Sequence, residues 1–232
     1  MTIYKTTTHS FLFGILVCLL APAADGGLLI RFESTPIVEG RSGLVDVFVS
    51  GDSSDLITDA SFEFRITPLG GTPRQLSFAD PQSDSQLSDP DYLFQAASFR
   101  RDGDPLLGVA PSAVGSVSSV DRLNDTYIGL DSDPTLAGVV IGTDELLLAR
   151  LDLTSGPGLL APIAGDQFQL ELVASPNTFF FDPSNPNLFA DWNSTPTTLT
   201  VTAIPEPSSF AMTGLVVLIA GIRRHSRRAD RK

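Results

Sequence analysis

The chain has 232 residues and a formal net charge of −12 at pH 7, from 27 acidic and 15 basic side chains. With 42% hydrophobic residues it can bury a core, while its acidic excess disfavours nucleic acid, whose affinity comes largely from neutralising phosphates. Cys18, His9 and His225 are its only cysteine and histidines. All three lie in terminal segments that read as processing signals, so the region between excludes disulfides, Ser-His-Asp and Cys-His catalysis, and zinc sites built on His or Cys.

Lys5 and His9 precede an apolar run, Phe11 to Leu20, followed by Ala21-Pro22-Ala23. A basic start, a short apolar stretch and an A-x-A pattern make a secretory signal peptide over residues 1–23, with signal peptidase reading Ala21 and Ala23 and cutting after Ala23. Val17 before Cys18 is not the small residue that a lipoprotein signal requires.

From Ala24 to Ile204 the dominant pattern is alternation with a period of two. In Ser61-Phe62-Glu63-Phe64-Arg65-Ile66-Thr67 the apolar residues face one way and the charged ones the other. Gln167 to Leu172 and Thr198 to Thr202 repeat this pattern. Leu28 to Phe32, Leu44 to Val49, Tyr92 to Phe99 and Leu146 to Leu153 also read as strands, with shorter ones at Ala137 to Ile141 and Thr178 to Phe181. Clusters of Gly, Pro, Asp, Asn and Ser separate them, as at Pro68 to Pro73 and Pro183 to Pro186. Asp80 to Asp91 reads as an exposed loop, and Asp182 to Thr197 as a loop into which Leu188, Phe189 and Trp192 can pack. No stretch carries a capped helical period. The expectation is an all-β antiparallel β-sandwich over 24–204, with one wet face per sheet.

Seven basic and two acidic residues fall outside that region. It therefore holds eight arginines against 25 carboxylates, a net charge near −17. Such a surface favours solubility, divalent cations or a basic partner.

The chain closes with Pro205-Glu206-Pro207, the uncharged run Phe210 to Ile222, and a basic tail containing Arg223, Arg224, Arg227 and Arg228. As a helix, 210–222 would span roughly 20 Å at about 1.5 Å per residue, short of a bilayer core unless the arginines snorkel. The basic cluster acts as a stop-transfer signal and stays cytoplasmic. Residues 205–232, with motif 205–207, transmembrane helix 210–222 and tail 223–232, resemble the PEP-CTERM sorting domain of Gram-negative bacteria. The resemblance implies recognition of Pro205, Glu206 and Pro207 by an exosortase, with cleavage at or near the motif. The protein would be anchored transiently in the inner membrane, then released to the cell surface or the exterior, among extracellular polysaccharide.

The stretch from Val38-Glu39-Gly40 to Thr67, an acidic turn and strands ending in Phe-x-Phe, and the segment from Gly142 to Leu151 are similar to cohesin-like and carbohydrate-binding sandwiches. A jelly roll is the other sandwich form that fits. Three candidate sites follow. Trp192, between Asp191 and Asn193, either stacks on a sugar ring or caps the core. Asp121, Asp125, Asp131 and Asp133 cluster in sequence, as calcium's oxygen ligands do, but lack the D-x-[DN]-x-[DN]-G pattern; the alternative is a solvated turn. The abundant carboxylates permit a two-carboxylate hydrolase, though no spacing pairs any two of them. The sequence thus reads as an exported, non-enzymatic envelope or matrix protein with a structural or adhesive role and no required cofactor. The alternatives are a carbohydrate-binding or cohesin-like recognition module and a secreted polysaccharide hydrolase.

Overall fold

The computed structural model describes residues 27–52, 55–103, 108, 125–155 and 160–204, and the backbone of 117–120. The signal peptide 1–23 with Ala21 and Ala23, the segment 205–232 with Pro205, Glu206, Pro207, Arg223, Arg224, Arg227 and Arg228, and Asp121 lie outside the described residues. Among the described residues no helix is long and apolar enough to cross a membrane.

The strands, in chain order, are β1 (Leu28–Ser34), β2 (Ile37–Val38), β3 (Gly43–Ser50), β4 (Leu56–Ile57), β5 (Asp59–Pro68), β6 (Leu76–Phe78) and β7 (Val117–Val120). They continue with β8 (Asp125–Ser132), β9 (Val139–Val140), β10 (Leu146–Ser155), β11 (Gln167–Leu172), β12 (Phe179–Phe181), β13 (Trp192–Ser194) and β14 (Thr197–Thr202). One sheet runs β13-β1-β3-β10-β6. The other runs β2-β14-β11-β5-β8-β7, with β12 also on β5, and β4 and β9 form a small ribbon. The protein is a β-sandwich.

Alternation is the cause of the packing. Val45, Val47 and Val49 of β3 are buried, while Leu44, Asp46 and Phe48 point outward. Phe62, Phe64 and Ile66 of β5, Phe168 and Leu170 of β11, and Leu199 and Val201 of β14 line the opposing face. The sheets meet where Phe32 of β1 sets its ring edge-on to Phe64 at 6.0 Å. Each such side chain contributes about 1.5–3 kcal/mol on burial. Gly129 of β8 sits opposite Phe62 in register. A Cβ there would lie 2.1 Å from the Phe62 ring, so only glycine lets the ring lie across β8.

The structure corrects three sequence expectations. The edge pairs β1–β13 and β2–β14 are parallel, because the chain reaches these edges by crossing between sheets rather than by hairpins. Tyr92 to Phe99 is not a strand: it makes one bridge, Tyr92 to Leu147, and then enters a four-residue helix, α1 (Phe99–Asp102). Asp80 to Asp91 is not a simple exposed loop. The Gln82 side chain donates to the Asp152 carbonyl and accepts from the Asp152 N–H, both as a paired strand would, and a 3-10 turn at Ser85–Ser88 buries Gln86.

The segment from β6 to α1 closes one side of the sandwich. Phe78 N–H of β6 donates to Asp125 of β8 at 2.7 Å. Farther along β8, the Asp131 carboxylate accepts from Tyr92 Oη (2.7 Å), Ser98 Oγ (2.6 Å), and the Arg100 and Ser132 N–H groups. Burial first, then the neighbouring Asp131, push the Tyr92 phenol well above its ordinary range, so it donates at every physiological pH. Ser98 also accepts from Arg101 N–H as the α1 N-cap.

Asp131→Ala removes the acceptor of two buried hydroxyls and two N–H groups. It should cost about 3–5 kcal/mol, read as a lowered urea midpoint. Asp131→Asn, which keeps an acceptor oxygen, should lose markedly less.

Candidate functional site: the Trp192 cleft

The opposite crossover, from β11 through β12 to β13, carries the candidate site. It is stitched to both sheets. Ala190 N–H donates to the Phe180 carbonyl of β12 at 2.9 Å, and Asp191 accepts from Leu28 N–H of β1 at 2.8 Å. These bonds fix the next residue, Trp192, in parallel register with Leu28. Its indole is half-buried and rests on the core. It lines an open cleft of about 690 Å³ with Leu172, Ala174, Asp191, Asn193 and Ser194. An amphipathic ring on an apolar floor, rimmed by a carboxylate, a carboxamide and a hydroxyl, offers stacking and polar recognition together. Trp192 thus packs against the core and also lines a cleft.

Glu63 of β5 holds the turn that follows β11. That carboxylate accepts from Ser175 Oγ at 2.6 Å and Asn177 Nδ2 at 2.9 Å, and Ser61 Oγ donates to the Asn177 carbonyl. The charged face of β5, expected to be wet, is instead covered by residues 175–178. The Ser175 hydrogen bond, the Asn177 amide and Arg65 together outweigh burial and hold Glu63 below the usual glutamate range.

Next to the cleft, Phe189 stands edge-on to Phe179 and Phe181 at 5.9 and 6.0 Å. Phe189 and Leu188 remain about half exposed. Leu188 adopts a left-handed φ of 63°, which turns the chain back towards β12. Asp182 anchors this turn: Ser184 donates to it through both N–H and Oγ, and Leu56 and Asn185 through N–H. Burial raises its pKa, but these donors bring it below the ordinary aspartate range. The sequence marks Asp182 only through the Asp-Pro-Ser-Asn turn pattern, and nothing in it marks Phe189 as surface.

The calcium candidates are not gathered into a site. Asp125 and Asp131 lie at opposite ends of β8, about 20 Å apart at the rise of a strand. Nor are Asp125, Asp131 and Asp133 solvated: all three are buried and hydrogen-bonded within the protein. Asp133 ties a loop by accepting from Thr135 and Gly138 N–H. Among the described residues no three carboxylate, histidine or cysteine side chains are arranged to hold a metal ion.

No protein-family profile matches the chain, and no curated protein matches it in sequence. Among solved structures it is similar to the third ScaC cohesin of Acetivibrio cellulolyticus, solved with the ScaB dockerin. There the identity is 11%, the coverage 76% of this chain and 99% of that one, and the TM-score 0.46. It is also similar to the cohesin CaCohA2 of Clostridium acetobutylicum (12%, 76% and 91%, TM-score 0.41) and to a non-cellulosomal cohesin of Archaeoglobus fulgidus (8%, 80% and 97%, TM-score 0.38). The two-sheet architecture itself stands on the strand order and register given above.

Glu63 stabilises the folded state above the unfolded glutamate pKa, and this contribution fades as pH falls through its lowered folded value. Glu63→Gln should therefore lower stability at pH 7 by about 1–2 kcal/mol, with the gap to wild type narrowing towards pH 3. Thermal melts of both proteins across that range measure it.

Proposed function

We propose that the chain is an exported, non-catalytic recognition module that binds carbohydrate in the Trp192 cleft. The observation that carries this reading is the partly buried indole in an open cleft beside Asp191, Asn193 and Ser194. A sugar ring presents C–H groups to an aromatic face and hydroxyls to polar groups at its rim, which is the chemistry this cleft offers. The non-catalytic reading is supported by the same lining. Hydrolysis of a glycosidic bond takes two carboxylates flanking it, and Asp191 is the one carboxylate among the described lining residues. A polysaccharide-binding module at the cell surface would serve an adhesive role in the matrix.

The export reading rests on the termini. The signal peptide starts secretion, and Pro205-Glu206-Pro207 with the apolar run and arginine tail hands the protein to an exosortase. A second reading of the ligand, a protein partner, is favoured by the exposed pair Leu188 and Phe189 at the cleft's edge.

Binding of the protein to a panel of bacterial and plant polysaccharides should be detectable and should weaken at least tenfold on Trp192→Ala, an anchor loss of about 1.4 kcal/mol or more. Absence of binding to every glycan, together with capture of a protein that Phe189→Ser abolishes, would replace the first ligand reading with the second.

In the native host, intact-mass measurement should find an extracellular product ending near Pro207. Alanines at Pro205, Glu206 and Pro207 should leave an uncut protein in the membrane. A wild-type protein that keeps its arginine tail in the membrane would remove the sorting route.

A further inference from the structure

Asp55 is 6% exposed, and its Oδ2 has no hydrogen-bond partner among the described residues. It sits just before β4, and its carbonyl accepts from Ile141 N–H at 3.0 Å, so the backbone cannot carry the carboxyl out to water. Three further carboxylates act on it: Asp52 from its own loop, Asp182 from the end of β12 and Asp191 from the start of β13. β9, packed on the other side, presents Val139 and Val140 and no titratable group. Asp182 is committed to the donors described above, one of them the N–H of Leu56, the residue after Asp55. The like charges that oppose Asp55 thus sit at the two ends of the segment 182–191, and Asp191 lines the Trp192 cleft.

We propose that Asp55 is a proton-operated latch on the cleft. Its neutral acid lets the segment 182–191 seat against β4, and its ionised form pushes that segment, and with it Asp191 and Trp192, away. Burial first, then Asp52, Asp182 and Asp191, raise the carboxyl above the ordinary aspartate range. A raised folded pKa contributes stability that is present in acid and lost as pH rises through it. The latch therefore closes as pH falls and loosens as it rises. As a regulation of ligand binding it rests on the Trp192 cleft being the binding site, but the latch itself can be read without ligand.

Trp192 is the only tryptophan in the chain, so intrinsic fluorescence of the full-length protein reports the cleft directly. As pH falls from 7.5, wild-type emission should shift to the blue as the indole loses water. Asp55→Asn should show the acid-state emission already at pH 7.5, with no further shift, and melt about 3 °C above wild type at that pH. Parallel titrations of the two proteins, or a lower melt for Asp55→Asn at pH 7.5, would overturn the latch. Should Asp55→Asn fail to fold, Asp52→Asn removes one of the opposing charges from outside the cleft and should move the midpoint of the emission change to lower pH; an unmoved midpoint overturns the proposal. Millimolar calcium at pH 7.5 that reproduces the acid-state emission would also overturn it, by putting a bound cation in the proton's place. A normal Trp192 titration in a protein that binds no glycan supports the latch and removes only the proposed ligand.

Discussion

A two-sheet sandwich has open sides, and the buried carboxylate of Asp131 closes one of them. Strand pairing alone stacks β3 and β10 over β5 and β8, but the core between them would meet water at the edge where β6 and β8 end. Tyr92, Leu93 and Phe94 fill that side, and they stay because Asp131 takes donors from Tyr92, Ser98 and Arg100 at once. A buried charge is costly unless each lone pair is used. Here the requirement becomes a device that specifies one path for the segment from β6 to α1. Arg100 extends the network to Tyr127 and to Asp84, so the polar layer and the aromatic layer fix each other.

The other side is closed differently, and the contrast explains where a ligand site can exist. Residues 173–196 are held by backbone bonds to both sheets and by Glu63 and Asp182, each capturing a turn. These anchors grip the segment at its ends. Between them the chain passes over the sheets' end with its aromatic residues only partly covered, which leaves the cleft beside Trp192. The side closed by an inward charge network is filled, whereas the side held at its turns is open.

Charge follows the same division. The outer face of the first sheet carries ion pairs that satisfy one another: Arg31 with Glu145, and Arg150 with Asp46 and Asp89. Pairs of this kind near the surface contribute little to stability, and these engage two of the region's eight arginines. At the cleft end the Asp182 carboxylate relies on N–H and hydroxyl donors instead. Asp182 obtains enough of them, while Asp55 keeps one buried oxygen without a partner among the described residues.

The sequence by itself determined what is local. The period-two pattern marked β3, β5, β10, β11 and β14 because a residue's neighbours two places away share its face. The composition left residues 24–204 without histidine or cysteine. Only the tertiary structure decided what depends on distant parts of the chain meeting. Tyr92 to Phe99 has the composition of a strand, yet no free strand edge receives it beyond one bridge. The outward face of β5 looks polar, yet Ser175 and Asn177, more than a hundred residues away, bury Glu63. Asp125, Asp131 and Asp133 read as one acidic cluster, but strand geometry spreads them along β8 and the loop after it, and burial gives each its own partners. Trp192 was visible in the sequence as a lone aromatic between polar neighbours. That it lines a cleft follows from two backbone bonds, to Phe180 and to Leu28, which join segments that no local pattern connects.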